Sequence, residues 1–258
     1  MTQPAGPGEA LVPLTAFGVA VDVRCSGSQA DALAESLRAA WSRCARDASV
    51  PAETTVAVDL DSSARPRIAG VMHTLAGSVT VAAISARKGR AIMLHAAGLA
   101  LPDGRVVAFV APSGTGKTTL ARTLGTAFGY VSDETVMVLH DGSITAYPKP
   151  LSILRDGPTK VQLSPEALGL MPAPPALRLA RVVLLDRRPD AAGVTVGDVP
   201  LLPGIAELAA QVSYLSRLPT PLQSVARMLE GTGGLARVTY AEAELLADAI
   251  PQLVGDAS

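Results

Sequence analysis

Eight consecutive residues, Ala111-Pro112-Ser113-Gly114-Thr115-Gly116-Lys117-Thr118, have the form [A/G]-x-x-x-x-G-K-[S/T]. Each position has a chemical reason. A turn of small residues aims backbone N–H groups inward, where they meet phosphate oxygens, and Gly114 and Gly116 allow a conformation that a side chain would obstruct. Lys117 adds a point charge for the β- and γ-phosphates, and the Thr118 hydroxyl is a ligand for Mg²⁺. The helix that follows presents its positive end to the same anion. The spacing predicts a nucleoside triphosphate held by Pro112, Ser113, Gly114, Thr115, Gly116, Lys117, Thr118 and Thr119.

Such a loop has to join a buried strand to the first turn of a helix. Arg105 to Val110 is a short apolar run that predicts the strand. Leu120, Leu124 and Phe128 recur at i, i+4 and i+8, which predicts an amphipathic helix from Thr118 to Phe128. Upstream, the apolar run Ala91 to Leu101 and the turn Pro102-Asp103-Gly104 make a hairpin that feeds the loop. Downstream, Val131 runs into Ser132-Asp133-Glu134. Val136 to Leu139, Asp141-Gly142 and Ser143 to Tyr147 then predict a second hairpin. Pro172, Pro174 and Pro175 mark a connector, and Leu179 to Leu185 reads as a buried strand. From Ile205 onward the chain reads as mostly helical, interrupted at Pro219 and Pro221, with Gly231 to Gly234 as a helix-ending turn.

The N-terminal part carries no chemistry of its own. Residues 1–10, with Pro4, Gly6, Pro7 and Gly8, read as a frayed leader. Val12 to Arg24 has a strand pattern, and Ser28 is placed to cap a helix with Leu33, Leu37, Trp41 and Cys44 along one stripe. Thr55 to Leu60 and Val79 to Ile84 read as further strands. The expected organisation is a leader at 1–10, a small α+β domain at 11–88 and a nucleotide-binding domain at 89–258, in the α/β class.

Composition removes several functions. A formal net charge of −1 over 258 residues, with no block of Lys and Arg, leaves no footprint for nucleic acid. His73, Thr74, Ser78 and Thr80 interrupt the most apolar stretch, Ala69 to Ile84, short of the ~18 residues a membrane span needs. No basic residue precedes Arg24, so the start lacks the charged region of a secretory signal. These features predict a soluble, cytoplasmic protein with no membrane partner. Cys25 and Cys44 are too few for a disulfide framework; a single disulfide is one alternative, and free thiols in a reducing compartment are the expectation.

Transfer of a phosphoryl group to a hydroxyl needs Mg²⁺ on the phosphates and a carboxylate to take the hydroxyl proton. Asp133 and Glu134 follow Lys117 by sixteen and seventeen residues. Asp186 closes the apolar run Val182 to Leu185, the Walker B pattern, but Arg187, Arg188 and Pro189 follow at once, as where a strand leaves into a turn.

Four features together carry a family likeness. Leu94-His95-Ala96-Ala97-Gly98 lies ahead of the loop, the hairpin leads into it, and Val131-Ser132-Asp133-Glu134 follows it. The fourth is Leu151-Ser152-Ile153-Leu154-Arg155-Asp156-Gly157. On these features the segment from His95 to Arg155 resembles the catalytic domain of HPr kinase/phosphorylase and the wider group of HPr-kinase-like P-loop proteins. The resemblance implies the P-loop sheet of the HPr kinase type, with ATP and Mg²⁺ as cofactors. It makes Asp133 the general base, has Glu134 assist Thr118 with the metal, and brings His95 near the phosphates. Arg155 would stabilise the charge of the transferring group. Lys149, between Pro148 and Pro150, is a further candidate cation, with a solvated loop lysine as its plainer reading. Glu134 stands where the family has Asp, which keeps the charge and lengthens the arm. Ile153 stands where the family signature has Glu, so phosphorolysis and recognition of HPr itself are not expected. The acceptor implied is a serine-type hydroxyl on a protein, a peptide or a small molecule, and the resemblance also implies a homo-oligomer.

The rival class is an ATP-dependent switch, a slow ATPase whose bound state is read by a partner. No Asn-Lys-x-Asp motif is present to specify guanine. A metabolic kinase of a small molecule shares the same site and differs only in its acceptor pocket.

Overall fold

Phe17 and Gly18 divide the strand expected from Val12 to Arg24 into two. Both take left-handed backbone angles, φ 52° and 69°, as the tight turn of a two-residue hairpin requires. The halves are β1 (Glu9–Ala16) and β2 (Val19–Ser26), antiparallel with Ala16 opposite Val19. The computed structural model describes residues 8–60, 68–154 and 160–255. The chain is mixed α/β with several sheets and divides into two units, Met1–Arg87 with Tyr147–Leu168, and Lys88–Ala146 with Gly169–Ser258. The stretch expected at 89–258 is therefore interrupted, because Tyr147–Leu168 counts with the first unit.

In the first unit, α1 (Ala30–Ala40) follows β2, and β3 (Thr54–Asp59) joins β2 in parallel. Gln29, not Ser28, precedes α1, and no side chain caps the helix. Leu33, Leu37, Trp41 and Cys44 are buried as their stripe predicts. Cys25 and Cys44 are buried free thiols, and burial pushes Cys44 up to about 12. The segment Val79 to Ile84, read above as a strand, is the middle of α2 (Ile68–Arg87). Its buried side chains Met72, Leu75, Ala76, Val79 and Ala83 have helical spacing, which a six-residue window is too short to display. By length and composition alone α2 is apolar enough to cross a membrane, with mean hydropathy 1.5 over its best window, of which 33% is buried. A packed helix passes the same test, and α2 lies against β2 and β3. Tyr147 re-enters this core with its ring 4.3 Å from Phe17 and 6.1 Å from Trp41, and its hydroxyl is 3.1 Å from that of Thr80. The antiparallel strands Leu151–Leu154 and Lys160–Leu163 complete the unit.

The second unit is built on an eleven-stranded sheet. The run Ala91 to Leu101 is two strands, β4 (Ile92–Leu94) and β5 (Ala96–Ala100), parted at His95. Then follow β6 (Arg105–Val110), α3 (Lys117–Leu124), β7 (Gly129–Ser132), β8 (Val136–Val138) and β9 (Ser143–Ile144). The strand Leu177–Arg187 runs through the centre. It pairs with β6 in parallel, with β9 at its start and with Leu235–Tyr240 along its second half. Helices α4 (Leu201–Ala209), α5 (Pro221–Glu230) and α6 (Ala249–Val254) complete the unit. Leu235–Tyr240, within the region read as mostly helical, is thus a strand held between Leu177–Arg187 and Thr195–Val199. The core comprises Leu94, Val106, Ala108, Val110, Val136, Val182 and their neighbours.

β5 approaches β8 so closely that a side chain at Gly98 has no room. A Cβ there would lie 2.8 Å from Val136 Cγ2 and 3.1 Å from Val131 Cβ. Gly98→Ala is expected to lower stability by about 1–3 kcal/mol through overpacking, read as a lower denaturation midpoint in urea.

Candidate functional site

β6 and β7 each run antiparallel to β5, so both deliver their C-terminal ends to the edge where β5 begins. Val110 lies opposite Ala96, and Ser132 opposite Gly98. Three separate pieces of sequence therefore meet along one edge: His95 just before β5, the 111–116 loop just after β6, and Asp133 with Glu134 just after β7.

The loop has the backbone its glycines permit. Gly114 and Gly116 have φ of 84° and 99°, and Gly116 is the residue from which α3 starts. A Cβ at either would meet nothing within 4 Å, so the demand for glycine is conformational rather than one of space. Pro112, Ser113, Gly114 and Thr119 are exposed, and Thr115 and Thr118 are half-buried. Lys117 is buried, and its ammonium donates to the backbone oxygens of Ala111 (2.6 Å) and Pro112 (3.0 Å). Burial lowers its pKa to about 8, against the opposing charges of Asp133 and Glu134.

Asp133 is held at both oxygens. Thr118 Oγ1 donates to Oδ2 at 2.9 Å, and the buried Tyr130 hydroxyl donates to Oδ1 at 3.1 Å. The Ser132 hydroxyl accepts from the amides of Glu134 and Thr135, each at 3.3 Å, which fixes the turn carrying both acids. The His95 amide donates to the Gln211 carbonyl at 2.7 Å, and its ring is hydrogen-bonded to the Glu134 backbone. Desolvation is the largest cause that lowers the pKa of His95. Lys117 adds to it, while Glu134 and Asp133 oppose it. The net effect holds the imidazole below the ordinary histidine value.

Thus His95, Lys117, Thr118, Asp133 and Glu134 come together with the loop. Lys149 is not a solvated loop lysine. It is buried in the first unit, where its ammonium lies 3.5 Å from the Pro150 carbonyl and its charge acts on Cys44. Arg155 lies outside the described residues. Asp186, next to last in the central strand, accepts from Arg188 Nε (2.9 Å) and Thr239 Oγ1 (3.2 Å). Tyr130 and Ser132 were not singled out from the sequence. The available signal was a tyrosine inside an apolar strand, whose buried hydroxyl needs a partner nearby.

Among the described residues no three His, Cys, Asp or Glu side chains cluster around a point. That does not suit a cage made wholly of protein. It does suit Mg²⁺, which keeps several waters and is bound through one or two carboxylates together with phosphates. Thr118, Asp133 and Glu134 are hard oxygen donors of this type, and beside them lie a cationic lysine and exposed loop amides. The arrangement can hold a polyphosphate, neutralise it from one side and offer a carboxylate on the other.

No protein-family model matches the chain, and no curated protein matches it.

Proposed function

We propose that this chain is an ATP- and Mg²⁺-dependent phosphotransferase of the HPr-kinase-like type, acting on a serine-type hydroxyl of a protein, peptide or small molecule. The observation that supports it most is the Thr118–Asp133 hydrogen bond. It joins the predicted metal ligand at the start of α3 to the predicted base just past β7. In this reading the loop amides and Lys117 neutralise the phosphates, and Thr118 and Glu134 hold the metal. The acceptor oxygen bonds to the γ-phosphorus as the bond to the β,γ-bridging oxygen breaks, the hydroxyl proton passes to Asp133, and ADP leaves. The resemblance brings His95 near the phosphates, its ring oriented by the hydrogen bond to the Glu134 backbone. The resemblance assigns Arg155 to the charge of the transferring group.

A second reading has its own support. Both oxygens of Asp133 already accept hydrogen bonds, as suits a carboxylate that anchors a metal rather than one that takes a proton. A chain of that kind would be an ATP-binding switch with slow hydrolysis.

The test is transfer of label from γ-labelled ATP in the presence of Mg²⁺, offering free serine, a serine-containing peptide and an HPr-type protein, with Lys117→Ala alongside. Label on one acceptor, lost in the variant, is the expected outcome. Tight ATP binding with no labelled acceptor favours the switch, and no ATP binding ends both readings.

The lowered pKa of Lys117 gives a second expectation. Above pH 8 the empty loop loses its ammonium, so ATP affinity should fall by up to about tenfold per pH unit. Lys117→Arg should abolish that slope, which calorimetric titration from pH 7 to 10 would measure. Stability moves the other way. A lysine whose folded pKa is depressed costs stability below that value, and the cost is relieved as pH rises from about 8 towards the ordinary lysine range.

A further inference from the structure

At the far end of β6 from the loop, the second unit has a cavity of about 400 Å³. Arg178, opposite Arg105 at the start of β6, marks that end. Five strand steps, about 17 Å, separate Arg105 from Val110, where the loop begins. The cavity's floor is apolar, from Ile92, Val138, Leu179 and Met228, and its polar groups include Arg178, Arg227, His140 and Ser224.

The charges are arranged, not scattered. Arg227 is fixed along α5 by bonds from Nε to the Gln223 carbonyl (3.3 Å) and from Nη2 to Thr220 Oγ1 (2.9 Å), itself 3.4 Å from the buried Ser224 hydroxyl. Asp141, the acid lining the cavity, has Oδ1 engaged by the amide and hydroxyl of Ser143 at 2.9 and 2.6 Å, within the β8–β9 turn. The charge of Arg178 also acts on Asp141. One carboxylate therefore stands against two guanidiniums, and the lining carries net positive charge over an apolar floor.

We propose that this cavity is a second binding site, for a small organic anion that places a carboxylate, phosphate or sulfonate between Arg178 and Arg227 and an apolar body on Ile92, Val138, Leu179 and Met228. Guanidinium forks suit such planar or trigonal anions. A volume of this size suits a molecule of metabolite dimensions. The proposal does not depend on the activity proposed for the loop edge.

The test uses 1-anilinonaphthalene-8-sulfonate as a fluorescent probe on the full-length Lys117→Ala variant, in which the loop lacks the ammonium that would compete for the anion. One saturable site is expected. Adding Arg178→Gln and Arg227→Gln should weaken it about tenfold or more, since each lost charge-assisted bond is a substantial loss. Hexanoate should displace the probe and hexanol should not. Both arginines are exposed, so their replacement is expected to leave the thermal midpoint in place, and each single variant is titrated as well. Unchanged affinity in the variants, or equal displacement by hexanol, would overturn the proposal and leave only an apolar patch.

Discussion

Asp133→Asn is expected to lower phosphoryl transfer by about 10³-fold while the protein still binds ATP. The substitution is isosteric. The amide oxygen can still accept from Thr118 or Tyr130, whose hydroxyls rotate to suit the amide nitrogen, so the turn that Ser132 fixes should keep its shape. What is lost is the negative charge and with it the capacity to take a proton. A companion effect distinguishes this variant from mere damage. Asp133 is the first of the two charges that hold the pKa of Lys117 up against burial. Without it, ATP affinity should begin to fall below pH 8 rather than at it. Single-turnover transfer and a pH series of binding titrations check the two parts. Transfer at the full rate in the Asn variant would remove Asp133 from the chemistry.

Asp22→Ala is expected to cost the first unit about 3–5 kcal/mol, a large share of a typical domain's stability. Its partner Arg46 bonds the Asp22 carboxylate and donates further to the carbonyls of Leu14 and Val50. The two side chains are only 6% and 11% exposed. Removing the carboxylate leaves a guanidinium charge enclosed without its counter-ion, because those backbone bonds keep it from turning out to solvent. Replacing both, as in Asp22→Leu with Arg46→Met, should recover much of the loss. Trp41, the sole tryptophan, lies buried in the same unit, so its fluorescence in urea reports this transition directly. A loss below 1 kcal/mol in Asp22→Ala would show that the charge finds solvent after all.

The strand, loop and helix around Lys117 were legible because each is specified locally: an apolar run, two glycines needing left-handed angles, and a 3.6-residue period. The meeting of His95 with Asp133 could not be read from residues 95 and 133 themselves. It depends on β5 lying between β6 and β7, a pairing between segments distant in sequence. Two misreadings share one cause, that a short apolar window fits more than one period. Val79 to Ile84 belongs to a helix whose burial pattern shows only over twenty residues. Leu235–Tyr240 is a strand because Leu177–Arg187 offers it a parallel partner. Val12 to Arg24 alternates only loosely, and its apolar phase shifts between Ala16 and Phe17, where the positive φ of Phe17 and Gly18 makes the hairpin turn. Lys149 shows the limit of reading a loop lysine as solvated, since its side chain is buried.

The re-entry of Tyr147 has a consequence for synthesis. Phe17 and Trp41 emerge from the ribosome long before the ring that packs on them, and residues 88–146, which intervene, belong to the other unit. At ordinary translation speeds the nascent first unit waits on the order of ten seconds for its last strands. Over that interval it presents an unfinished aromatic surface to whatever chaperone stands at the tunnel exit, and no single cut in the chain releases either unit whole.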